Sequence, residues 1–80
     1  MNYMDKTIRQ HMIEKCEKWS AGRSDSEWNR LGNIFTERFI LAKRELNMLA
    51  KKDETLSLKD RIALSKTKNF GEIRSILNKI

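Results

Sequence analysis

The hydrophobic residues between positions 24 and 51 recur at the three- and four-residue intervals of one long amphipathic helix. Ser24 followed by Glu27 has the spacing of a capping box, in which each side chain accepts a hydrogen bond from a free backbone N–H. The apolar face that follows contains Trp28, Leu31, Phe35, Phe39, Ala42, Leu46 and Leu49. We therefore predict a single central helix over about 24–51. Gly32 lies beside this face, and we expect another backbone to approach closely there.

A second apolar stripe on the same helix, Ile34, Leu41 and Met48, repeats every seven residues. At 100° per residue the two stripes together occupy about half of the helix circumference, which is more than a surface helix needs. Two interpretations remain open. Either the rest of the chain buries both stripes, which we favour, or part of the apolar arc is a seam for another protein. Ile40 lies opposite the main arc, so we expect its side chain to be exposed.

The N-terminal segment predicts a helix over about 3–19, with Asn2 as its N-cap and Asp5 in its first turn. Its apolar stripe consists of Met4, Ile8, Met12, Cys16 and Trp19. Ala21 and Gly22 follow, and glycine readily adopts the left-handed conformation that ends helices. We therefore expect the helix to end there.

The C-terminal segment predicts two short helices. Ser57 with Asp60 marks the start of a helix over about 58–65, and Asn69 with Glu72 marks the start of the last one. The last helix has an apolar side formed by Phe70, Ile73, Ile76, Leu77 and Ile80. Because the chain also contains no proline, we predict an all-α fold. Residues 1–80 would form a single domain, a small helical bundle around the long central helix.

The composition narrows the classes of protein to which the chain can belong. It has 80 residues, of which 39% are hydrophobic and 35% are charged, so it is neither a typical disordered chain nor a multidomain enzyme. A lone cysteine, Cys16, cannot form an internal disulfide and fits a reducing compartment. The first residues carry charges where a secretory signal would be apolar, and no apolar run is long enough to span a membrane. We expect a soluble cytoplasmic protein without a membrane partner.

Residues that commonly catalyse reactions are few and poorly spaced. His11 and Cys16 point well apart on a helix, and no second His–Glu pair exists to complete a metal site with His11 and Glu14. The glycines are isolated, so no phosphate-binding loop is present. We expect no catalytic residue, metal site, cofactor or small-molecule substrate, and hence no enzyme.

The remaining apolar positions favour a protein that acts by binding another protein. The candidate interface residues are Ile34, Ile40, Leu41 and Met48 of the central helix, together with Arg30, since arginine is a favoured interface anchor. A chain of this size acts by occupying a surface. Our first hypothesis is therefore a non-enzymatic regulator of the inhibitor, adaptor or antirepressor type, with a homodimer as one form that the association could take.

The alternative hypothesis is direct binding of DNA or RNA. The net charge of the chain is +6, and residues 51–80 hold eight basic and four acidic residues. Such a basic region attracts anionic partners. The candidate phosphate contacts are Lys51, Lys52, Lys59, Lys66, Lys68 and Arg74. A protein that contacts phosphates in this way binds nucleic acid with little preference for its sequence.

Overall fold

The computed structural model describes residues 7–80, which form five helices and no strand. They are α1 (Ile8–Ser20), α2 (Asp25–Leu31), α3 (Asn33–Lys52), α4 (Leu58–Ser65) and α5 (Phe70–Lys79). The fold is therefore all-α, with a long central helix, an N-terminal helix and two short C-terminal helices, as the sequence predicts. The predicted N-cap Asn2 and the predicted start of the first helix at residue 3 lie outside the described residues.

Polar side chains mark the beginnings of the helices. The side chain of Thr7 caps α1 by accepting a hydrogen bond from the backbone N–H of Gln10. The predicted caps of the later helices are confirmed: Ser24 forms a full capping box with Glu27, and Ser57 and Asn69 cap α4 and α5. These oxygens satisfy backbone N–H groups that have no partner within the first helical turn. Local sequence therefore determines where four of the five helices in residues 7–80 begin.

The predicted single helix over 24–51 is wrong, because Gly32 breaks it into α2 and α3. Gly32 has φ 53° and ψ −112°, a conformation that side-chain-bearing residues avoid. A Cβ atom at this position would meet nothing within 4 Å, so the expected close backbone approach is also wrong. The break lets α2 fold over the core. Trp28 and Phe35 are seven residues apart, so an unbroken helix would separate them by about 10.5 Å along its axis. The centres of their rings lie only 6.0 Å apart.

The core lies between α3 and the helices packed around it. α1 packs against α3 and α5, α4 packs against the same two helices, and α2 packs against α3. The buried apolar residues are Met12 and Cys16 of α1, Trp28 of α2, Ala42, Leu46 and Ala50 of α3, Leu56 of the loop before α4, Leu64 of α4, and Phe70, Ile73 and Leu77 of α5. Every helix of the described chain thus contributes at least one side chain to a single core.

Side chains from the later helices hold the end of α1 in place. The indole Nε1 of Trp28 donates to the carbonyl of Ser20 at 2.9 Å. The guanidinium of Arg38 donates to the carbonyls of Lys18 and Trp19 and lies 5.5 Å from the Trp28 ring centre. The last carbonyls of a helix have no partner within it, so these contacts satisfy them and fix α1 against the α2–α3 corner.

Candidate functional site

Four large apolar side chains of α3 are exposed on the side of the helix that faces away from the core. They are Ile34, Ile40, Leu41 and Met48, with 60%, 49%, 64% and 61% of their surface exposed. Their positions span an arc of about 120° around the helix. We call this set the α3 face. The exposure of Ile40 confirms the prediction for that residue.

The interpretation that the chain itself buries both stripes of the central helix is wrong. The stripe of Ile34, Leu41 and Met48 remains exposed because α1, α2 and α4 pack elsewhere around α3. The first stripe is covered as expected, with Ala42 and Leu46 buried. The apolar arc therefore divides into a core side and an exposed side.

Two charged side chains, Glu37 and Arg44, lie among the apolar residues of the α3 face. Both are exposed. Within residues 7–80, neither of them takes part in an ion pair or a side-chain hydrogen bond. Their charges are therefore available to a molecule that covers the face.

Arg30, the fifth candidate interface residue, lies on a different helix from the α3 face. It is exposed in the last turn of α2. The break at Gly32 separates it from α3, on which the other four candidates lie. The five candidate interface residues therefore do not share one helix.

Sequence reasoning missed a second exposed apolar pair on α4. Leu58 and Ile62 have 63% and 44% of their surface exposed and lie one turn apart. With Asn47 and Lys51 of α3 they line an open groove of about 220 Å³. Their i,i+4 spacing was visible in the sequence, but it does not reveal which side of a short helix faces the core.

The basic residues of the alternative hypothesis are not gathered at one point. Lys51 and Lys52 end α3, and Lys59 lies in the first turn of α4. Lys66 and Lys68 follow the other end of α4, a helix about 12 Å long. Arg74 lies away from the ends of α4. Its Nε is 2.9 Å from a carboxylate oxygen of Glu17 in α1. The lysines border α4 at both ends, whereas Arg74 faces α1.

Lys43 was not singled out from the sequence, yet it holds the α4–α5 connection. Its ammonium donates to the carbonyls of Ser65 and Thr67, both at 2.8 Å, and lies 5.3 Å from the Phe39 ring centre. Partial burial lowers the pKa of Lys43, an effect that the nearby carboxylate of Glu72 opposes. A lysine used in this way binds the chain's own backbone rather than a phosphate.

The cysteine and histidine are separated in the structure. The thiol of Cys16 is buried and lies 3.7 Å from the carbonyl oxygen of Phe70. Burial raises its pKa to about 11, so the thiol stays protonated near neutral pH. His11 is exposed on the surface of α1. In residues 7–80, no group of three or more His, Cys, Asp or Glu side chains is arranged to hold a metal ion.

A cavity of about 360 Å³ lies between the start of α1 and the loop after α3. Two of the charged residues that line it, Arg9 and Asp53, form an ion pair. Arg9 Nη2 donates to Thr55 Oγ1 at 2.9 Å, and Arg9 Nε lies 3.7 Å from an oxygen of the buried Asp53 carboxylate. The backbone N–H of Thr55 also donates to Asp53, at 3.0 Å. These contacts join the start of α1 to the loop after α3, which is a structural role.

The comparisons with known proteins add no family to this description. Neither a protein-family model, a curated protein nor a solved structure matches the chain. Within the described residues, no helix combines the length and the apolar character needed to cross a membrane. The surface of the molecule is therefore the evidence for its function.

Proposed function

We propose that this chain is a non-enzymatic helical regulatory protein that acts by binding another protein chain through the α3 face. The observation that carries the proposal is the exposure of Ile34, Ile40, Leu41 and Met48 on one side of one helix. Inhibitors, adaptors and antirepressors act in this way, by occupying a surface of their target.

The size and position of the α3 face support this proposal. From Ile34 to Met48 it extends about 21 Å along the helix. Large apolar side chains gathered on one exposed side of a helix commonly mark a surface that binds another molecule. A rigid helix is also a common binding element, because side chains at three- and four-residue spacing insert together into a partner's groove or helix.

Site-specific photo-crosslinking tests the proposal in the cells that make the protein. A benzophenone side chain at Leu41 should form an adduct with one defined protein, and the same probe at the exposed α5 residue Asn78 should not. Excess unlabelled wild-type chain should suppress the adduct, whereas the Leu41→Asp chain should not. Equal labelling from positions 41 and 78, or no competition by the wild-type chain, would exclude the α3 face as a binding surface.

The basic residues around α4 support a second candidate function, the binding of DNA or RNA phosphates. Lys51, Lys59, Lys66 and Lys68 are exposed, and among residues 7–80 none of the four forms an ion pair. Fluorescence anisotropy with labelled duplex DNA and single-stranded RNA tests this function. Binding that persists near physiological salt would support it. The triple replacement of Lys59, Lys66 and Lys68 by alanine should then reduce the salt slope by about 0.9 for each duplex phosphate that the variant no longer neutralises.

A further inference from the structure

The charges on the α3 face point to a second copy of this chain as its partner. We propose that two α3 helices pack antiparallel, with a twofold axis passing between Ile40 and Leu41. This inference rests on the proposed function, because it names the partner of the same face.

Glu37 and Arg44 lie along the centre line of the α3 face. Residues seven apart on a helix differ by only about 20° in direction, so the two side chains project the same way. They are separated by about 10.5 Å along the axis. Their midpoint falls between residues 40 and 41, which is also near the midpoint between Ile34 and Met48. The charged pair and the apolar pair therefore share one centre.

Neither charge has a partner within its own helix. The residues three and four positions from Glu37 are Asn33, Ile34, Ile40 and Leu41. The corresponding residues around Arg44 are Ile40, Leu41, Asn47 and Met48. None of these neighbours is charged, so no intrahelical ion pair of the usual spacing involves Glu37 or Arg44. Glu37 and Arg44, an acidic and a basic residue between the exposed apolar side chains, match a partner of the opposite charge pattern.

A second α3 helix that runs in the opposite direction has this opposite order of charges. A twofold axis at the midpoint places Glu37 of each copy opposite Arg44 of the other, which makes two equivalent ion pairs. A parallel arrangement in register would instead place Glu37 opposite Glu37 and Arg44 opposite Arg44. Like charges in an interface are unfavourable, so the antiparallel arrangement is the one that the charges select.

The same operation matches the apolar side chains. Ile34 of one copy lies beside Met48 of the other, at both ends of the seam. Leu41 faces its own counterpart on one side of the charged centre line, and Ile40 faces its counterpart on the other side. All four residues of the α3 face are then covered at once. A face that matches itself under a twofold rotation has the property required of a homodimer interface.

The length of the α3 face indicates how tightly two copies should associate. A seam about 21 Å long between two helices is at the small end of specific protein interfaces, so we expect a reversible dimer in the micromolar range rather than a permanent one. Sedimentation velocity from low micromolar to near-millimolar concentration measures this equilibrium directly. The wild-type chain should change from monomer to dimer across that range, and Leu41→Asp should remain monomeric.

Charge reversal tests the register. Glu37→Arg gives a face with two positive centres and Arg44→Glu gives one with two negative centres, so each variant alone should dimerise at least about tenfold more weakly than wild type. An equimolar mixture of the two should form a heterodimer, because every positive centre then meets a negative one. The double variant Glu37→Arg/Arg44→Glu should recover the wild-type affinity. Circular dichroism of each chain verifies that its helices are intact.

Three results would overturn the inference. They are a wild-type chain that stays monomeric at near-millimolar concentration, a single charge reversal that dimerises as well as wild type, and a mixture that associates no better than its components. A monomeric wild-type chain that still forms the competed crosslink from position 41 would reject the second copy but keep the proposed function. A monomeric chain without that crosslink would reject both.

Discussion

Replacing Gly32 by alanine tests the break between α2 and α3. This break is the largest difference between the fold that the sequence predicts and the fold in the structure. In an unbroken helix this substitution would stabilise the protein by about 1 kcal/mol, because glycine is a poor helix former. In the structure, Gly32 has φ 53° and ψ −112°, outside the left-handed region near ψ +30° to +60°. An alanine held there costs about 1–3 kcal/mol. The change in stability caused by Gly32→Ala therefore has opposite signs for an unbroken helix and for the broken helix of the structure.

The cost comes from the backbone alone, since a Cβ atom at Gly32 would meet nothing within 4 Å. We therefore expect Gly32→Ala to lower the free energy of unfolding by about 2 kcal/mol, a large share of the stability of so small a domain. Urea titration followed by far-ultraviolet circular dichroism measures this decrease. Asn33→Ala, at the adjacent exposed helical position, should change the stability by no more than about 0.5 kcal/mol. An unchanged or higher stability of Gly32→Ala would refute the break.

Two further substitutions probe other local features. Ala21 has φ 53° and ψ 33° at the C-cap of α1, so Ala21→Gly should relieve left-handed strain and stabilise the protein by about 0.5–1 kcal/mol in a thermal melt; a lower melting temperature would contradict this. Burial raises the pKa of Cys16 from 9.0 to about 11, so the unfolded chain loses this proton first as the pH rises. The stabilisation by the neutral thiol should be complete below pH 9 and should disappear progressively towards pH 11, whereas Cys16→Ala should lack this component of the pH dependence. Equal pH profiles in urea titrations of the two proteins would show that the thiol is not buried.

The first residues of the helices were predictable where a single capping side chain determines them. Ser24, Ser57 and Asn69 cap their helices as the sequence indicates, because an N-cap depends on residues within one turn of each other. The break at Gly32 was not predictable in this way. The hydrophobic period continues through it, and the gain that favours the break comes from distant residues. Trp28 meets Phe70 with ring centres 5.9 Å apart, a contact between residues far apart in the sequence.

The exposure of the α3 face follows from the number of helices available to cover α3. This helix has 20 residues and is about 30 Å long, and its apolar arc is wide enough to need neighbours on two sides. α1 and α2 contact it, and α4 is only 8 residues long. The sequence pattern identifies the stripe of Ile34, Leu41 and Met48, but a pattern on one helix cannot show whether enough other helices exist to bury it. In a chain this short the described helices are used on the core side, so the second stripe is available to another molecule. A second copy would provide the missing helix at the same length and with the opposite charge order.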